Sequence, residues 1–119
     1  MSTAIAFDLA GFSRATQERD ARALVELYAE DAVVSVVDPD HRPAGPLVIS
    51  GKAAIRTWIE DTCSRDMAHR VVNPVLGTDR VALMTECTYP DGSQVLCSCN
   101  AELQGGLITA QAVVQVWDD

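Results

Sequence analysis

The sequence predicts one α+β domain in which helices cover one face of a curved, mostly antiparallel sheet. Three observations carry that expectation. Apolar residues in the first half recur at helical spacing, i, i+3 and i+4. From His69 onward the pattern becomes strand-like runs separated by short turn signals, as an antiparallel meander requires. At 119 residues, with no internal repeat or linker, the two halves must share one core.

Taken in order, Ile5, Leu9, Phe12 and Thr16 form a stripe that predicts a first amphipathic helix. Asp20 is suited to cap a second, because a short carboxylate can accept from the free first-turn amides, and Ala21, Leu24, Leu27 and Tyr28 then fall on one face. Residues 32–37 are rich in Val and predict a strand. Pro39, Pro43 and Pro46 make residues 38–46 a loop, and residues 47–49 a short second strand. Ser50 is the expected cap of a third helix, whose face is Ile55, Trp58, Ile59 and Thr62. Four strands follow over 69–76, 81–89, 94–103 and 107–117, with turns at 77–79, 90–92 and 104–106.

Composition narrows the function classes. Hydrophobic residues at 48% and charged residues at 22% are ordinary globular usage, which excludes a disordered or low-complexity chain. The net charge of -8 would repel a phosphate backbone or an anionic lipid surface, so neither nucleic acid nor membrane is an expected partner. The apolar start is short, interrupted by Asp8 and not preceded by a basic segment, unlike a secretory signal. The expected location is the cytoplasm. There, Cys63, Cys87, Cys97 and Cys99 are expected to stay reduced and to pack as small hydrophobes. They form no CxxC pair, and the chain has no Gly-rich phosphate loop, serine nucleophile elbow or paired-carboxylate metal motif, so no metal or cofactor is implied.

Two residues stand out as acid/base candidates. His69 shares a predicted strand face with Val71, Asn73 and Val75, and an imidazole there could move a proton near neutral pH; its alternative role is a hydrogen-bonded structural histidine. Asp38 ends the face Val34, Val36, Asp38. A carboxylate in that apolar company is expected to have a raised pKa, as a general base requires, while the alternative is an aspartate that starts the turn at Pro39. Asn100 and Gln111 are polar residues within predicted strands that could orient a ligand or sit at a dimer interface. Phe7, Phe12, Tyr28, Trp58 and Met84 read as core or pocket lining, and His41 as a solvated loop residue.

The order of elements, with residues 27–33 reading LYAEDAV and residues 50–58 reading SGKAAIRTW, resembles the nuclear transport factor 2-like superfamily, which includes SnoaL-like and ketosteroid isomerase-like proteins. The resemblance implies a cone built from three helices and a curved sheet, an internal pocket for a small apolar molecule, and homodimers formed through the sheet's outer surface. Asp38-Pro39 is similar to the Asp-Pro of ketosteroid isomerases, where the Asp shuttles the proton; the oxyanion-donating tyrosine of that group corresponds to Phe12, and its partner acid to Cys99 or Asn100. Residues 69–73 are similar to the HxxxN strand of the scytalone dehydratase group, in which the His is the base, but Gln17 stands where that group has an orienting Asp. Asp118 is a loose counterpart of the late acid of SnoaL-type cyclases. Together these imply a cofactor-independent isomerase, dehydratase or cyclase with Asp38 and His69 catalytic, and Phe12, Gln17, Tyr28, Trp58, Asn73, Met84, Asn100 and Gln111 contacting the substrate. The rivals are a non-catalytic binding module and a dimeric interaction domain.

Overall fold

The computed structural model describes residues 6–118. Helix α1 (Leu9–Glu18) starts at Asp8, whose carboxylate accepts from the Gly11 amide at 2.9 Å, and ends where Arg19 turns left-handed at φ 56°. Ile5 of the expected stripe lies outside the described residues. Asp20 caps α2 (Ala21–Val25) by accepting from the Ala23 amide at 3.1 Å. That helix is shorter than expected: Tyr28 belongs to β1 (Tyr28–Val37), not to the helical face. Strand pairing takes over there, with the Leu27 carbonyl accepting from the Ile108 amide at 2.8 Å.

After β2 (Leu47–Ser50) the cap of α3 (Lys52–Ser64) also differs from expectation. Ser50 stays paired with Val33 in the sheet, so Gly51 takes the capping position at φ 88°, with no side chain to contribute. The remaining strands are β3 (Ala68–Leu76), β4 (Arg80–Thr88), β5 (Gln94–Gln104) and β6 (Leu107–Trp117). The six form one open sheet in the order β2-β1-β6-β5-β4-β3, antiparallel except where β1 meets β6. Register shifts at Tyr28/Val33, Val72/Val75 and Glu102/Leu103 bend it.

The three helices pack on the concave side, α1 against β3 and α3 against β1 and β2. Phe12, Ala15, Leu24, Ile55 and Ile59 bury there against Val34, Val36, Val81, Leu83, Ala101 and Ile108. Strand alternation then decides which side chains enter the cone. Leu83 and Cys99 face in, so Met84 and Asn100 stand on the convex side, and neither contacts the interior as expected. The face of His69 breaks as well. Val71 follows it inward, but the bulge puts Asn73 at φ 53° beside Pro74, and Asn73 and Val75 are exposed.

Candidate functional site

Between the concave face and the helices lies a cavity of about 700 Å³, the size of a small-ligand pocket. Register orders its sheet wall into rows. Tyr28 and Gln111 lie deepest; Val36, Val113, Cys99 and Leu83 come next; then Gln115, Cys97 and Thr85; and finally Trp117, Val95, Cys87 and His69. The last row is the open end. Trp117 is 36% exposed, and the exposed residues Asp40, Asp61 and Arg65 line the cavity beside it.

At the closed end Tyr28 is 2% exposed and donates to Gln111 Oε1 at 2.5 Å, while Gln111 Nε2 donates to Cys99 Sγ at 2.8 Å. Burial holds the Tyr28 phenol far above its usual range, with Cys99 adding and the Gln111 bond opposing. Burial likewise raises the Cys99 thiol, against a smaller opposing effect of Gln111. The three side chains are hydrogen-bonded in a chain at the pocket floor, and burial favours their neutral forms.

Asp38 sits at the end of β1 on the cavity wall, and it also closes the turn that follows. Its Oδ1 accepts from the amides of Asp40 at 2.9 Å and His41 at 2.8 Å, and lies 2.9 Å from His41 Nδ1. The expected upward shift of its pKa is corrected: burial pushes it up, but the His41 side chain and these amides outweigh burial and hold it below the usual carboxylate range. His41 is consequently a bound partner, half-buried, rather than a free surface residue.

On the far wall His69 Nδ1 lies 3.1 Å from Cys87 Sγ, and its Nε2 is buried with no partner among the described residues. Cys87 is diagonal to Cys97 across β4 and β5. A hydrogen bond from Cys97 lowers the Cys87 thiol most; burial opposes, and contact with His69 lowers it further, to about 5. The shared bond and burial drive Cys97 upward in return. Asp38 and His69 line the same cavity, yet four inter-strand steps separate them, about 19 Å along the sheet at the usual strand spacing. They form no dyad.

Of the other expected contacts, Phe12, Tyr28, Trp58 and Gln111 line the cavity. Gln17 does not; it is exposed and accepts from the Val71 amide at 3.2 Å, tying α1 to the edge strand β3. The residues that sequence reasoning missed are the thiols, since Cys63, Cys87, Cys97 and Cys99 all line the cavity. For the three strand thiols the signal available was parity, because Cys87 shares the inward face of Val81 and Leu83, and Cys97 and Cys99 share one face. Among the described residues no group of three His, Cys, Asp or Glu side chains is placed to hold a metal.

Several solved structures share this fold. A candidate ketosteroid isomerase from Kribbella flavida superposes with a TM-score of 0.74 at 16% identity, covering 92% of this chain and 74% of that one. An NTF2-like protein of unknown function from Mesorhizobium loti gives 0.77 at 20% identity, covering 88% and 84%. A candidate isomerase from Bacillus subtilis gives 0.70 at 22% identity, covering 91% and 83%. Such identities establish likeness of fold alone. No curated protein matches the sequence. The sequence profile of the SnoaL-like domain matches residues 9–111, nearly the whole described chain, and with the open six-stranded sheet and its three helices this makes the protein a member of the SnoaL-like domain family.

Proposed function

We propose that this protein binds a small, largely apolar molecule in the cavity and acts on it by acid/base chemistry without a cofactor, as an isomerase, dehydratase or cyclase would. The observation that most supports this is His69, whose Nε2 is enclosed and unpaired on a residue that lines an apolar cavity. A carbonyl or hydroxyl of a bound molecule would satisfy that nitrogen and exchange a proton with it. Asp38, held ionised by its hydrogen bonds, is the proton acceptor on the opposite wall, always available but a weaker base than a carboxylate of raised pKa. The two therefore serve different ends of one molecule, and Phe12, Trp58 and Leu83 make the apolar contacts between them. The candidate isomerases among the similar folds fit this reading.

Native mass spectrometry of freshly purified protein tests the binding step, and a co-purified small molecule is the expected result. With that molecule or a relative as substrate, a bell-shaped pH-rate profile lost in His69→Ala or Asp38→Asn supports catalysis. Retention without turnover would instead make the protein a binding module. We also propose that it works in the cytoplasm, in keeping with its four free cysteines, and that two copies associate through the convex face, where Leu96, Val114 and Val116 are 40%, 46% and 64% exposed.

A further inference from the structure

We propose that Cys87, held between His69 and Cys97 at the open end of the cavity, is a nucleophilic thiol that captures an apolar α,β-unsaturated carbonyl compound as a covalent thioether. This goes beyond acid/base chemistry but rests on the reading that the cavity admits an apolar molecule.

Three inner strand faces build the group. Register pairs His69 directly with Cys87 and Thr85 with Cys97, which puts Cys97 diagonal to Cys87. The imidazole Nδ1 approaches Sγ to 3.1 Å, and all three side chains line the cavity. Cys87 is only 5% exposed and packs with Met67 and Val95, so a reagent reaches it through the cavity. Three of the charged groups near this end are committed elsewhere. Arg65 pairs with Asp61 at 2.9 Å and reaches the Tyr89 hydroxyl at 3.5 Å, and Asp118 accepts from the Gln94 amide at 2.9 Å. His69 and Cys97 are thus the groups that set the protonation of Cys87, and they favour the thiolate.

The step balances within the site. Cys87 gives its proton to His69 Nδ1, and Sγ bonds to the β-carbon of the acceptor. The C=C π pair moves toward the carbonyl as an enolate, and the imidazolium returns the proton to the α-carbon. The net change is addition of S–H across the double bond, with no oxidant consumed.

Magnitudes fix the signature. At pH 6 an ordinary thiol is about 0.3% ionised, so a thiol titrating near 5 holds roughly 300-fold more thiolate. Its lower basicity costs roughly 25- to 55-fold in intrinsic nucleophilicity. The net gain at pH 6 is therefore roughly 5- to 12-fold, and it reverses by about pH 9, where ordinary thiols ionise unaided.

The test uses the full chain with N-phenylmaleimide, read by intact mass and peptide mapping, and N-phenylsuccinimide as the unreactive competitor. The expected result is one adduct, on Cys87, formed at a saturable rate that the succinimide slows. That rate should change little between pH 6 and 9, whereas glutathione, run alongside, reacts up to about tenfold faster per pH unit below its pKa. Cys87→Ser should remove the adduct, with Cys87→Ala as the alternative if the first variant does not fold. His69→Ala should slow labelling at pH 6, by less than the full gain of roughly 5- to 12-fold because Cys97 still favours the thiolate, and should steepen the pH dependence, which a merely structural role would not do. First labelling at Cys63 or Cys97, or a steep pH profile at Cys87, would overturn the proposal. Succinimide binding without labelling of Cys87 would overturn it while leaving the cavity reading intact. Unsaturable labelling that the succinimide does not slow would overturn the cavity reading, and capture within the cavity with it.

Discussion

Asp38 combines a structural and a chemical task in one carboxylate, and the two can be separated by pH. Its folded pKa lies below the ordinary value, so its contribution to stability is fully present above the unfolded pKa of about 3.9 and is lost as pH falls through the folded value. Asp38→Asn keeps an oxygen for the amides of Asp40 and His41 but loses the charge. The variant should be less stable than the parent at pH 7, with the gap closing below about pH 4, as followed by urea unfolding at several pH values. A gap independent of pH would mean that the charge does not matter. Tyr28 offers a contrasting test. Tyr28→Phe leaves the buried Gln111 Oε1 without its donor and should cost about 1–3 kcal/mol by denaturant midpoint. A cost near zero would show water from the cavity taking the place of the hydroxyl.

At the scale of elements, capping and register explain where sequence reasoning held and where it slipped. The caps at Asp20 and the long strands at 94–104 and 107–117 were legible because each rests on local chemistry, a short carboxylate or an alternating run between turn residues. The early end of α2 was not, because Tyr28 fits both a helical stripe and a strand, and only its partner Ile108, eighty residues on, decides between them. Asn73 failed for a related reason: a bulge shifts the alternation, and no local pattern announces one apart from Pro74 in a strand. The site was therefore half legible. Asp38, His69, Tyr28 and Gln111, singled out by type and position, do line the candidate cavity, while the thiols that also line it were passed over as small hydrophobes. Gly51 provides a test at this scale. With φ 88° it sits where only glycine is unstrained, although a Cβ would have room, 4.0 Å from the Glu30 carbonyl. Gly51→Ala should therefore destabilise by about 1–2 kcal/mol through backbone strain alone, measured by thermal unfolding. No change would indicate that the β2–α3 junction relaxes freely.

For the whole molecule the open question is what covers the convex side of the sheet. Leu96 lies opposite Val116 across β5 and β6, and Ser98 lies opposite Val114, so the outer face carries an apolar strip instead of the polar surface usual for a solvated sheet. Around it the cross-strand pairs Arg70–Glu86 and Arg80–Glu102 supply a charged rim. An apolar centre within a polar rim is the usual anatomy of a protein interface, and closure by a two-fold axis would bury the strip of each copy against the other. The charge works against this, because each chain carries -8 and two like-charged bodies repel. Salt screens that repulsion over about 8–10 Å at 0.1–0.15 M, while apolar burial is insensitive to it or strengthened. The proposed homodimer should therefore tighten as salt rises, unlike an interface held by ion pairs. Sedimentation at micromolar concentration is expected to show a dimer at 0.15 M salt and partial dissociation at low salt. Val116→Lys, which adds a charge to the most exposed position of the strip, should leave the fold intact and weaken association by at least tenfold, about 1.4 kcal/mol. A monomer at every salt concentration would remove the homodimer, and a dimer indifferent to Val116→Lys would place the contact on another face.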